Sequence, residues 1–111
     1  MTDQSKKYLS DILSAIELIE SFVSDIKDYT GYLSDLKTQS AVERQLGIIG
    51  EAVNKFEKEY PEYPVTNAQK IKAFRNRLIH AYDAIDPSII WVIINNYLEP
   101  LKSEVSLLLL A

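Results

Sequence analysis

The chain contains no cysteine, which removes disulfides, thiolate metal sites and a cysteine nucleophile from consideration. It has one histidine and three glycines; no glycine-rich stretch is placed to cradle a phosphate, and no serine sits in a strand-turn-helix elbow. Long apolar runs are also missing. The run nearest a terminus, Leu107 to Leu110, is far short of the ~20 residues of a membrane span. The opening MTDQSKKYLS has lysines without a following apolar block or small-residue cleavage site, so a secretory signal is not expected. The mature protein is therefore read as the whole chain, 1–111, with a cytoplasmic location compatible with the lack of cysteine.

What remains is an ordinary globular composition. Hydrophobic residues make up 47% and charged residues 25% of the 111 residues, enough for a single domain and too few residues for two separate cores. The net charge of -4 argues against a surface that coats duplex nucleic acid throughout, but not against a local basic patch.

The apolar positions repeat in helical steps. Leu9, Ile12, Leu13, Ile16, Ile19, Val23 and Ile26 predict one long amphipathic helix. Tyr29-Thr30-Gly31 interrupts it, with Thr30 or Ser34 as the expected cap of the next helix. Val42, Leu46, Ile49, Val53 and Phe56 predict that second helix to about Tyr60. Gly47 and Gly50 within it point to close helix packing, since glycine in a helix costs roughly 1 kcal/mol. Pro61 and Pro64 place a loop at PEYPVTN, and Asn67 is the expected cap of a third helix from Ala68 to about Tyr82. Asp86-Pro87 marks another helix start, continuing through Trp91, Ile94 and Leu98, with Pro100 kinking or restarting it. No segment alternates with a period of two. The expected fold is all-α, an up-and-down bundle of four or five helices forming one domain.

Electrostatics single out the third helix. Lys70, Lys72, Arg75 and Arg77 lie between Asn67 and Tyr82 with no acidic residue, whereas the rest of the chain has 8 basic and 16 acidic residues. Such a stripe is either a solvated helix face or an attractor of phosphate backbone. The sole histidine, His80, falls in it, with Asn76, Tyr82 and Asp83 nearby. Imidazole transfers protons near neutral pH, and guanidinium holds an anionic phosphate bidentately, so the set suits phosphate-ester chemistry. On an ideal helix Arg77 shares the face of His80, whereas Arg75 is about 140° round. One histidine with scattered carboxylates has no recognisable ligand spacing, so no metal and no cofactor are expected. RNA cleavage can proceed on such a set because RNA supplies its own nucleophile, the 2′-hydroxyl.

At these residues the sequence resembles the HEPN superfamily and, within it, the HepT-like toxins, whose signature is Arg, four residues, His, one residue, Tyr. Here it reads Arg75, NRLI, His80, Ala81, Tyr82. The stretch QSAVERQLGIIGEAVNKF, residues 39 to 56, is similar to the family's second long helix, and Trp91 stands where the family has an aromatic after its Asp-Pro start. Lys72-Ala73-Phe74 departs from the small residue and methionine common in relatives.

The resemblance implies a metal-independent endoribonuclease toxin. Arg75, rather than Arg77, then binds the scissile phosphate, and His80 handles the proton. Tyr82 becomes the residue that an MntA-type nucleotidyltransferase antitoxin modifies with AMP, and a homodimer brings two motifs to a shared cleft. Lys70, Lys72, Asn76 and Arg77 are then the expected RNA-backbone contacts. The other reading is a non-catalytic HEPN module that docks onto a nucleotidyltransferase and presents its substrate.

Overall fold

The computed structural model describes residues 1–73 and 86–110. Among these residues the regular structure is helical: α1 (Asp3–Phe22), α2 (Tyr29–Leu33), α3 (Leu36–Glu59), a 3-10 turn (Thr66–Ala68) leading into a helical stretch at 69–73, α4 (Pro87–Asn96) and α5 (Leu98–Leu110). The all-α reading holds.

The two longest helices form the frame. Along α1 the buried positions Leu9, Ile12, Ala15, Ile16 and Ile19 make one stripe, and along α3 Val42, Leu46, Ile49, Val53 and Phe56 make another. Both stripes follow the three- and four-residue steps of the sequence and meet each other in the core. The helices run antiparallel: the Thr2 amide at the start of α1 donates to the Tyr60 hydroxyl at the end of α3 (3.0 Å), and buried Ser5 donates to the Glu59 carboxylate. Leu98, Leu101 and Val105 of α5 and Ile90 and Ile93 of α4 complete the core.

Several helix ends differ from the sequence expectation. The first helix stops at Phe22 rather than passing through Ile26. There the Ser24 hydroxyl donates to the Ser21 carbonyl (2.9 Å), satisfying a C-terminal acceptor that another turn would otherwise take up. Tyr29-Thr30-Gly31 is not merely an interruption, since it lies inside the short α2. The caps are Asp28 and Asp35, not Thr30 or Ser34: Asp28 accepts from the Gly31 amide (2.9 Å), and Asp35 accepts from the Thr38 amide (3.0 Å) and hydroxyl (2.7 Å). A carboxylate adds charge complementarity to the helix dipole that a hydroxyl lacks. Those Thr38 hydrogen bonds also hold the Asp35 carboxyl below its ordinary pKa.

The Asp86-Pro87 start is as expected, with Asp86 accepting from the Ser88 amide (2.9 Å) and Pro87 in the first turn. Pro100 belongs to a restart: α4 ends at Asn96, Tyr97 intervenes, and Pro100 sits in the first turn of α5. Its missing N–H costs nothing there, because first-turn amides have no intrahelical acceptor.

Candidate functional site

Five of the residues expected to carry chemistry, Arg75, Asn76, Arg77, His80 and Tyr82, lie outside the described residues, together with Asp83. What the structure does show is the approach to them on one side, up to Ala73, and the departure on the other, from Asp86.

The approach is held by two carboxylates from two different helices. Val65, Thr66 and Asn67 present three successive amides just before the helical stretch at 69–73. Glu57 of α3 accepts from the Val65 amide (2.9 Å). Glu104 of α5 takes the next two, with one carboxylate oxygen on the Thr66 amide (2.9 Å) and hydroxyl (2.8 Å) and the other on the Asn67 amide (2.9 Å) and side-chain amide (3.0 Å). Asn67 was the expected cap. It lies instead within the 3-10 turn, and its side chain donates to Glu104. An external carboxylate thus does what a side-chain cap does elsewhere: it satisfies first-turn donors and places negative charge at the positive end of the helix. Partial burial on its own would raise the pKa of Glu104, but the hydrogen bonds from Asn67 and Thr66 outweigh it and hold the carboxyl below its ordinary value. Val65, Ala68 and Ile71, all fully buried, pin the same segment to the core.

The two lysines of the basic stripe that the structure describes differ in their surroundings. Lys70 is exposed and makes no ion pair among the described residues. Lys72 is partly buried and donates to the second oxygen of Glu57 at 2.6 Å, with side-chain exposures of 28% and 17% for the pair. Beside it runs an open groove of about 400 Å³ lined by Glu51, Asn54, Lys55, Glu57, Lys58 and Lys72.

On the departure side, Trp91 of α4 stacks on Tyr32 of α2. Tyr32 is fully buried, and its hydroxyl has no hydrogen-bond partner among the described residues. Burial foremost, then the negative charge of Glu43, push its phenol well above the ordinary range, and burial likewise raises Glu43. Sequence reasoning singled out Trp91 but missed Tyr32, Glu57 and Glu104. The available signal was slight: Glu57 follows the apolar Phe56, and Glu104 precedes the apolar Val105, so both flank buried stripes.

Among the described residues no group of three or more His, Cys, Asp or Glu side chains is arranged to hold a metal ion, and no helix is long and apolar enough to cross a membrane.

Comparison with known proteins gives the chain its relatives. It is 40% identical over 108 residues to a Thermococcus cleftensis protein named Probable ribonuclease HepT, covering 94% of each chain. Two Methanocaldococcus jannaschii proteins, both named as candidate RNases, are 37% identical over 92 residues, with 82% of this chain and 75% of the relative covered, and 34% identical over 100 residues, with 89% and 85% covered. No solved structure gives a significant match. The family model described as Ribonuclease HepT-like matches residues 12–108, a span that contains α3, the basic stripe and the Arg75-His80-Tyr82 signature, and the chain belongs to this HEPN-superfamily family.

Proposed function

We propose that the chain is a metal-independent endoribonuclease toxin of a toxin-antitoxin pair, acting as a cytoplasmic homodimer without a cofactor. The observation that carries this reading is the family match across residues 12–108, within which the Arg-x4-His-x-Tyr signature stands as Arg75, His80 and Tyr82. The relatives' ribonuclease names support RNA as the substrate.

In this reading the 2′-oxygen of one nucleotide attacks the adjacent phosphorus, the bond to the 5′-oxygen of the next breaks, and a 2′,3′-cyclic phosphate is left. His80 removes the proton from the 2′-hydroxyl or delivers one to the departing 5′-oxygen. A homodimer supplies a second His80, so that base and acid need not be the same imidazole. Arg75 binds the scissile phosphate and stabilises its added negative charge, a role suited to a planar bidentate donor. In this reading Lys70, which is exposed, and Lys72, beside the groove with Lys58, contact RNA backbone together with Asn76 and Arg77. A cognate MntA-type nucleotidyltransferase switches the enzyme off by adding AMP to Tyr82, where bulk and negative charge two residues from His80 exclude RNA.

The test is incubation of purified protein with RNA in excess EDTA, alongside His80→Ala. Cleavage by the wild type alone, leaving cyclic phosphate ends, is expected. Absence of cleavage across varied RNAs, with mass spectrometry showing an unmodified Tyr82, would replace the enzyme with the partner-binding module.

A further inference from the structure

The basic segment enters its helix held by carboxylates from two other helices. Three consecutive amides, Val65, Thr66 and Asn67, are all taken by carboxylates, and none of these carboxylates is local. Glu57 reaches from α3 and also holds Lys72 inside the helical stretch, so one side chain bonds both the turn before the helix and its first turn. Glu104 reaches from α5 and uses both oxygens, each accepting one backbone and one side-chain donor. The turn is therefore fixed from two sides by the helices that flank it. Ala73, the last described helical residue of this stretch, lies two positions before Arg75 in the chain.

Directional bonds at its start set the described stretch, residues 69–73, in place, and Arg75 follows Ala73 by two residues, at most about 7 Å of chain. From this we propose that Glu104 and Glu57 are positioning residues for the ribonuclease chemistry, fixing the start of the segment that carries Arg75 and His80. The proposal rests on the roles proposed for Arg75 and His80 in RNA cleavage. Neither carboxylate touches RNA in this scheme; both act through the backbone amides of residues 65–67, and Glu57 also through Lys72.

Two measurements separate this role from simple stabilisation. The first is steady-state RNA cleavage by Glu104→Ala, Glu104→Gln and Glu57→Gln, each well below its melting temperature, with Glu99→Gln on the exposed face of α5 as control. Misplacement of reacting groups by an ångström costs on the order of 10- to 100-fold in rate. Glu104→Ala is expected to lose about that much in kcat with KM changed far less, Glu104→Gln to recover part of it through its remaining carbonyl acceptor, and Glu99→Gln to match the wild type. Full kcat in folded Glu104→Ala would overturn the proposal, as would a loss confined to KM.

The second is amide hydrogen exchange of the same proteins. Glu104→Ala is expected to accelerate exchange in residues 65–73 while leaving the buried stripes of α1 and α3 protected. Should the wild type cut no RNA, the ribonuclease reading falls, and exchange alone judges the anchor: unchanged protection at residues 65–73 would sink it as well.

Discussion

The ring of Trp91 lies against that of Tyr32 at 5.3 Å between centroids and 30° between planes, joining α4 to α2. Tyr32 is completely buried, and its hydroxyl has no hydrogen-bond partner among the described residues. A hydroxyl buried in this way costs roughly 1–3 kcal/mol. Tyr32→Phe keeps the ring and removes the oxygen, so the variant is expected to be as stable as the wild type or more stable, by up to about that amount. Urea denaturation of the two proteins checks this; a clear loss of stability would show that the hydroxyl is satisfied in solution.

A core substitution has the opposite sign. Ile16 is fully buried in the α1 stripe. Ile16→Ala removes three carbons and leaves a void, which costs about 2–5 kcal/mol. Urea denaturation should show a lower midpoint with an unchanged slope.

Acid should loosen the approach to the motif. The Glu104 carboxyl is held below its ordinary pKa, so its contribution to stability is fully present above the ordinary glutamate range and is lost as pH falls through the lowered value. Glu43, raised by burial, works the other way, because its charged form is disfavoured in the folded state near neutral pH. Glu104→Gln is expected to flatten the acid limb of a stability-pH curve. Glu43→Gln should raise stability near neutral pH, with the gain fading as the pH drops into the carboxylate range. Thermal melts from below the ordinary glutamate range up to neutral pH read both.

Salt should distinguish the two described lysines of the stripe. Lys70 is exposed and unpaired among the described residues, whereas Lys72 is already held by Glu57. If Lys70 meets a phosphate, Lys70→Gln reduces the slope of log affinity against log salt by about one. Lys72→Gln should change that slope less and lower stability more, because it leaves Glu57 without its cation. Fluorescence anisotropy with a single-stranded RNA at several salt concentrations, beside melts, gives both quantities.

Helix type and the core faces were legible because they depend on periodicity, and the stripes from Leu9 to Ile19 and from Val42 to Phe56 are the ones buried. The Asp86-Pro87 start was legible for a local reason, a carboxylate and a proline each in the position they favour. The real caps at Asp28 and Asp35 were obscured by equally good candidates one or two residues away, Thr30 and Ser34. Glu57 and Glu104 were beyond sequence reasoning, since their partners are 8 to 38 residues distant along the chain, and no local pattern encodes a cap donated by another helix. Of the candidate site, the signature itself was the legible part; the carboxylates that hold its approach were visible only in three dimensions.

The antiparallel pairing of α1 with α3 also sets an order of events during synthesis. Both helices precede Arg75 and His80 in the chain and so leave the ribosome before them. Domains assemble from the N-terminal side as the chain emerges, so the scaffold can begin to form before the signature itself has emerged. Glu104, in α5, is made later still, and its hold on Thr66 and Asn67 closes last. A nascent chain therefore passes through a stage at which its frame is begun but its chemistry is not yet seated, and the arrival of Glu104 is the step that completes the anchor.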